Sequence, residues 1–182
     1  MSFLAALLHG VAALLHPHAA AQACPPPPAG APSLTAQVRH AQAASGGYAV
    51  ALRVDCRNGP GSVEVDTVAP GRLAEVRLAR ADGTLLDLRW QGAWQRWLHG
   101  DEMAVARGRE RPPLDLVQAL RRASSHGRVA AARLHRRNGR YGWSFIFVQG
   151  GRVVAGRVPA QAGSTWVSGG PRAAAGTGGH SN

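Results

Sequence analysis

The sequence predicts an α+β fold in which a helix packs on an antiparallel meander sheet, and a half rich in β-hairpins precedes this unit. Apolar residues recur at helical spacing in residues 114–123, which favours an amphipathic helix. The two-residue turn signals Asn138-Gly139 and Gly150-Gly151 then separate three strand-like segments. We therefore assign the helix and three strands to residues 112–163, and the hairpin-rich half to residues 47–100.

The first 23 residues contain no charged side chain. Residues 3–15 form an apolar run of signal-peptide length, which is too short to span a bilayer. Ala21-Gln22-Ala23 fits the rule that small residues precede the cleavage site. The usual Lys or Arg near the start of a signal peptide is missing, since none lies between Met1 and Ala23. We expect residues 1–23 to be a cleaved signal peptide, leaving a periplasmic or secreted chain with no transmembrane segment. The alternative is a lipoprotein cut before Cys24, but Ala21 stands where such a site prefers Leu.

Two cysteines, Cys24 and Cys56, remain after that cleavage. In an oxidising compartment, two cysteines are the number needed for one bridge. A Cys24–Cys56 disulfide would stabilise the chain by roughly 3–4 kcal/mol in the chain-entropy model. Two unpaired thiols are the alternative.

Residues 24–46 are rich in Pro and Ala, and we interpret them as a linker that contains a short, weak helix over residues 33–44. Residues 48–56 and 63–68 alternate as strands do. A three-residue loop at Ala81-Asp82-Gly83 predicts a hairpin over residues 72–90. Its predicted inner pairs are Leu78–Leu86, Val76–Leu88 and Ala74–Trp90, and its outer pairs are Arg77–Asp87 and Glu75–Arg89.

The Asn138-Gly139 turn fixes a second register. The predicted inner pairs set small residues against aromatic ones: Ala130–Phe147, Ala132–Phe145 and Leu134–Trp143, with Val154 and Val158 added by the next strand. Pro112 and Pro113 suit the first turn of the preceding helix. We expect His135, on the outer face, to be solvated, and residues 164–182 to be a disordered tail.

Two hairpin segments match each other without gaps. Residues 71–83, GRLAEVRLARADG, and residues 127–139, GRVAAARLHRRNG, are identical at seven of thirteen positions. The match favours an internal repeat. The first copy lacks an obvious preceding helix, so a complete duplicated unit is not supported.

The C-terminal half resembles the PepSY domain. The matching stretches are ALRRASSHG (119–127), RVAAARLHRRNG (128–139), RYGWSFIFV (140–148), QGG (149–151) and RVVAGRV (152–158), closing at Ala162-Gly163. One departure is Val158-Pro159-Ala160, where the family often carries Asp before its closing Gly. The resemblance implies a non-catalytic interaction or regulatory module. A generic α+β hairpin fold without this relationship is the alternative.

Motifs of catalysis and cofactor binding are not found. The chain contains no Lys, hence no P-loop, and no GxSxG, HExxH or paired CxxC. Ser125 and His126 are neighbours, but a catalytic triad also needs an orienting acid. Trp94 and Trp97 fit a short core helix better than a stacking platform. We therefore predict no catalytic, cofactor-binding or metal-binding residues, and no enzyme.

Two functions are compatible with these features. The first is an interaction module that acts on an envelope or secreted protein partner, such as a peptidase or an envelope sensor. Its candidate interaction patch is Ile146, Val148, Val153 and Ala155, on the outer face. The alternative is a basic secreted binder of polyanions, whether envelope polysaccharide, anionic lipid or nucleic acid, since the formal net charge is +11. Its candidate anion-binding residues are Arg133, Arg137, Arg140 and Arg157.

Overall fold

The computed structural model describes residues 24–57, 61–91, 104–105, 112, 114–159 and 167–168, and the structural statements below refer to these residues. The predicted signal peptide 1–23, the predicted tryptophan helix, and the predicted tail apart from residues 167–168 lie outside them.

The described residues form one sheet and two helices, which confirms the α+β class. The elements are, in chain order, α1 Leu34–Ser45, β1 Tyr48–Asp55, β2 Ser62–Ala69, β3 Arg72–Ala79, β4 Leu85–Trp90, α2 Leu116–Ala123, β5 Arg128–Arg137, β6 Arg140–Gln149, β7 Arg152–Pro159 and β8 Val167–Ser168. The strand order is β4-β3-β2-β1-β5-β6-β7-β8. Adjacent strands are antiparallel, and β1 pairs with β5. Both halves therefore share one continuous sheet.

Helix α1 corrects the interpretation of residues 24–46 as a linker. Ser33 caps the helix by accepting a hydrogen bond from Ala36 N, and Gly46 ends it in the left-handed conformation. Val38 and Ala41 are completely buried, and the helix packs on β2, β3 and α2. Residues 34–46 thus belong to the folded part of the chain.

Helix α2 begins later in the chain than we expected from Pro112 and Pro113. Asp115 is its N-cap, and Asp115 and Gln118 form a reciprocal capping box. Pro112 therefore lies before the helix, not in its first turn. The indole Nε1 of Trp143 donates a hydrogen bond to the Leu114 carbonyl over 2.9 Å, which holds the incoming chain against β6.

The β5–β6 hairpin has, near its Asn138-Gly139 turn, the register that this turn predicts. Leu134 lies opposite Trp143 and Ala132 lies opposite Phe145, as predicted. The Ala130–Phe147 pair is wrong, because the register shifts between Val129 and Ala131 and places Val129 opposite Phe147. In β7, Val158 lies opposite Trp143 and Val154 opposite Phe147, as predicted. Trp143, Phe145 and Phe147 are almost completely buried.

The β3–β4 hairpin also follows its predicted register over most of its length. Val76 lies opposite Leu88 and Ala74 opposite Trp90. The Leu78–Leu86 pair is wrong, because a register shift sets Leu78 opposite Leu85. Leu86 is instead exposed on the edge strand.

The two matched segments occupy β3 and β5 with their following turns. Strand β3 is the third strand after α1, whereas β5 is the first strand after α2. These positions are not equivalent, so the sequence repeat stays a prediction. The element order contains a different regularity, since within the described ranges each half is a helix followed by four strands.

Candidate functional site: the outer face of the sheet

One face of the sheet carries the buried core and the helices, and the alternation of strand residues leaves the other face without a helix among the described residues. We divide this second face in two. The N-terminal outer face comprises Arg53, Glu64, Asp66, Glu75, Arg77, Asp87 and Arg89. The C-terminal outer face comprises Ala131, Arg133, His135, Arg140, Ser144, Ile146, Val148, Val153, Ala155 and Arg157.

The four residues of the predicted interaction patch lie together on β6 and β7. Ile146 is opposite Ala155, and Val148 is opposite Val153. Ala155 is exposed, whereas Ile146, Val148 and Val153 are partly buried. On its other side Ile146 lies opposite Ala131, so two small residues flank its branched side chain. The structure therefore brings the patch together as one contiguous apolar surface.

The predicted anion-binding arginines do not form a single cluster. Arg133 and Arg157 flank Ser144 in one row across β5, β6 and β7, which separates their backbones by about 10 Å. Arg137 and Arg140 are opposite positions in the backbone register beside the Asn138-Gly139 turn. Arg140 and Arg157 are exposed. The apolar patch thus gives way to a cationic region toward this turn.

His135 is more enclosed than predicted. Its ring is partly buried, and its Nδ1 lies 3.2 Å from the Ser144 hydroxyl. A Cβ added at Gly142 would be 3.0 Å from two ring atoms of His135. The absence of a side chain at Gly142 therefore makes room for the imidazole, which is partly buried against the strand rather than fully surrounded by solvent.

The N-terminal outer face is built differently, because oppositely charged residues neighbour one another across its strands. One row runs Asp87, Arg77, Glu64 and Arg53 across β4, β3, β2 and β1. Arg53 is ion-paired with Glu64, and Arg89 Nε lies 2.5 Å from Asp87. Asp87 lies opposite Arg77, as predicted, but its ion pair is with Arg89 on the same strand. Cross-strand pairs of opposite charge are favourable, so this face compensates its own charge.

Beside this face, at the end of β1, Arg57 Nη2 lies 2.6 Å from the Asp55 carboxylate. The hydrogen bond from Arg57 is the main cause that lowers the pKa of Asp55 to about 2. The Asp55 carboxylate therefore stays charged under mildly acidic conditions.

Charge is also divided unequally along the sequence, a signal that reasoning from total charge missed. All 10 Asp and Glu residues lie at or before Asp115, whereas ten of the 21 cationic side chains, all arginines, follow it. The first 115 residues are thus nearly neutral, and the remainder carries almost all of the net charge of +11. Such an asymmetry is typical of an interaction with an acidic partner or surface.

The Cys24–Cys56 disulfide is present, as predicted, with Cα atoms 5.3 Å apart. Cys24 is buried, and its carbonyl accepts a 2.8 Å hydrogen bond from Arg128 at the start of β5. The bridge joins the N-terminal segment to the end of β1. A lipoprotein would need the sulfur of Cys24 for its thioether-linked lipid, and this sulfur is already bonded to Cys56.

The described residues contain no group of three or more His, Cys, Asp or Glu side chains that could hold a metal ion. None of the described helices is long and apolar enough to cross a membrane. The Ser125 hydroxyl lies 2.8 Å from His126 Nδ1, which is a contact between chain neighbours at the end of α2. No Asp or Glu follows Asp115 in the sequence to orient that imidazole from β5, β6 or β7.

No family model matches the chain, and no curated protein matches it. Among solved structures, the chain is similar to the crystal structure of a "putative lipoprotein" from Clostridium difficile 630, with 12% sequence identity. The match covers 72% of this chain and 90% of that chain, with a TM-score of 0.45. A TM-score of this size does not establish a common fold.

Proposed function

We propose that this protein is an exported, non-catalytic interaction module similar to PepSY domains, and that it docks a protein partner on the C-terminal outer face. The observation that carries the proposal is the contiguous apolar patch of Ile146, Val148, Val153 and Ala155. These side chains lie on the sheet face opposite the helices and the core, where a β-sheet exposed to water usually carries polar residues. Contiguous exposed apolar surface marks interaction sites.

The charges around the patch indicate the chemistry of the partner. Arg157 lies two residues beyond Ala155 on the same face, and Arg140 lies on this face of β6; both are exposed. Arginine recognises carboxylates with two parallel hydrogen bonds. The partner that fits is a protein surface with an apolar centre and carboxylates at one side. Complementary charges would mainly raise the association rate and the specificity.

Two features support the proposed compartment. Residues 1–23 have the character of a signal peptide, and the Cys24–Cys56 disulfide suits an oxidising environment. We place the protein in the periplasm or the extracellular space. The PepSY resemblance makes a peptidase or an envelope sensor the kind of protein to look for.

A capture experiment with matched variants tests this proposal. The wild-type chain and the variants Ile146→Asp and Leu86→Asp would be used to capture proteins from an envelope extract. Leu86 is a suitable control because it is exposed on β4, at the other end of the sheet. We expect an acidic protein that is lost with Ile146→Asp, retained with Leu86→Asp, and bound again as the purified protein. Both variants must first be shown to be folded. If the two folded variants then capture the same proteins in equal amounts, the proposal is wrong.

Polyanion binding through Arg133, Arg137, Arg140 and Arg157 is the second candidate, and the absence of Asp and Glu after Asp115 favours it. Polyanion binding and protein docking differ in their expected dependence on salt and in the substitutions that weaken them. Affinity for heparin or for vesicles of anionic phospholipid would fall steeply with salt. Arg140→Gln combined with Arg157→Gln would weaken it, whereas Ile146→Asp would have little effect. Salt-independent binding, or none, would exclude this candidate.

A further inference from the structure

A buried arginine lies against the disulfide. Arg80 follows β3 directly and is only 5% exposed, and its Nη1 lies 3.6 Å from Cys56 Sγ. Gly61 completes the contact, since a Cβ added there would be 2.9 Å from Cys56 Sγ and 3.3 Å from Arg80 Cδ. The guanidinium and the sulfur are therefore held together by close packing.

No carboxylate compensates Arg80 among the described residues, whose ion pairs join Arg53, Arg57 and Arg89 to acidic partners. Burial and, to a lesser extent, the nearby charge of Arg128 lower the pKa of Arg80. Arg128 lies at this site because it donates a hydrogen bond to the Cys24 carbonyl. A buried cation without a counter-ion is unfavourable, so a negative charge on the adjacent sulfur would stabilise the site.

We propose that the Cys24–Cys56 bond is an exchangeable disulfide, reducible by a dithiol protein, because Arg80 and Arg128 stabilise the thiolate of Cys56. In the oxidised protein the sulfur beside Arg80 is neutral. Reduction converts this sulfur into a thiolate and supplies the missing counter-ion. A cation next to a cysteine lowers the pKa of its thiol, and a stabilised reduced form makes a disulfide easier to reduce.

The exchange has two steps. A thiolate of the dithiol attacks Cys56 Sγ, the partly exposed sulfur of the pair, the bond between the two cysteine sulfurs breaks, and Cys24 leaves as a thiolate that takes up a proton. The second thiol of the dithiol then attacks its own sulfur in the mixed disulfide and releases Cys56 as a thiolate beside Arg80. The dithiol loses two electrons and becomes a disulfide, and the Cys24–Cys56 pair gains them. Reduction would detach the exposed segment after Cys24 from the end of β1.

The reduction equilibrium tests the proposal. The full chain and the variants Arg80→Met and Arg57→Met would be equilibrated with mixtures of reduced and oxidised dithiothreitol. Alkylation of the free thiols and mass spectrometry then give the fraction of reduced protein. Methionine retains part of the apolar stem, and Arg57 is an exposed control next to Cys56 that pairs with Asp55 instead. We expect the wild-type disulfide to be reduced at a ratio of dithiol to disulfide about tenfold lower than Arg80→Met requires, which corresponds to about 30 mV for two electrons. Arg57→Met should behave as the wild type does.

A second measurement covers the case in which Arg80→Met does not fold. In the reduced wild-type protein, the rate of Cys56 alkylation with pH should give a thiol pKa below the ordinary value of about 8.5. Arg80→Lys, which keeps the charge, should preserve that lowered pKa. A disulfide no easier to reduce than that of Arg80→Met, or an ordinary thiol pKa in the wild type, would overturn the proposal.

Discussion

The N-terminal and C-terminal outer faces belong to one sheet, but their side chains are arranged differently. On the N-terminal face, carboxylates and guanidiniums neighbour one another across four strands, as in the row from Asp87 to Arg53. On the C-terminal face, a row of the same sheet reads Ala131, Ile146 and Ala155. The first face sets residues of opposite charge beside one another, whereas the second presents apolar and cationic groups outward.

This difference indicates where to look for an interaction in a fold whose two halves have the same order of elements among the described residues. Backbone architecture alone would treat the two faces as equivalent, since each half is a helix followed by antiparallel strands in the described ranges. Only the side chains distinguish them. The experiments below test whether the halves are one structural unit and whether the outer faces differ as described.

The largest expected effect tests whether the two halves unfold together. Trp143 is completely buried under α2 and is hydrogen-bonded to Leu114. Trp143→Ala should lower the free energy of unfolding by about 3–5 kcal/mol. Leu73→Ala, at a completely buried site in the N-terminal half, should lower it by about 2–5 kcal/mol. Urea denaturation should give one transition in each variant, because β1 pairs with β5. Two separate transitions, with only one shifted, would show that the halves are independent.

The disulfide should have the next largest effect. Cys24→Ser combined with Cys56→Ser removes a bridge with a sequence separation of 32, and the free energy of unfolding should fall by about 3–4 kcal/mol in the chain-entropy model. Thermal unfolding of the double variant, compared with the reduced and oxidised wild type, checks this value. Equal stability of oxidised protein and double variant would contradict it.

The helix caps allow a smaller and more local comparison. Asp115 takes part in a reciprocal capping box, whereas Ser33 accepts a hydrogen bond from Ala36 N. Asp115→Ala and Ser33→Ala should each cost about 1 kcal/mol. Asp115→Ala should be the more costly, because its carboxylate accepts a charge-assisted hydrogen bond of 2.7 Å from Gln118 N, whereas the Ser33 hydroxyl accepts one of 3.2 Å from Ala36 N. Urea midpoints of the two variants give the order, and a reversed order would argue against the stronger carboxylate cap.

The smallest effect is the pH dependence supplied by Asp55. Its pKa is about 2 in the folded protein, below the ordinary value of 3.8, so the ionised carboxylate favours the folded state. The contribution is present above pH 4 and is lost as pH falls toward about 2. Asp55→Asn should therefore lose less stability than the wild type between pH 5 and pH 2.5, as measured by urea midpoints. An identical loss in both proteins would contradict the assignment.

Local features of the fold could be predicted, because their causes are local. Asn138-Gly139 fixes the register of β5 and β6 through turn geometry, and Asn138 indeed has a positive φ of 50°. The bulge between Val129 and Ala131 escaped prediction since alternation continues smoothly through this stretch of small residues. Helix α1 was underestimated because Leu34 and Val38 are its only large apolar residues.

Features that depend on long-range contacts could not be read from the sequence. Pairing of β1 with β5 joins segments far apart in the chain, and no turn signals it. The burial of Arg80 is of the same kind, because its position after β3 suggests an exposed turn. In contrast, the absence of Asp and Glu after Asp115 is visible in the sequence, but it is hidden when only the total charge is considered.

Site-specific photocrosslinking in the native compartment tests the central claim most directly. A photoreactive amino acid would be placed at Ala155, exposed on the C-terminal outer face, and separately at Arg89, exposed on β4 at the far edge of the N-terminal outer face. We predict a crosslink from position 155 to one acidic protein, and none to this protein from position 89. The same crosslinked products from both positions, or no protein product from position 155, would contradict the assignment of the C-terminal outer face as the docking surface.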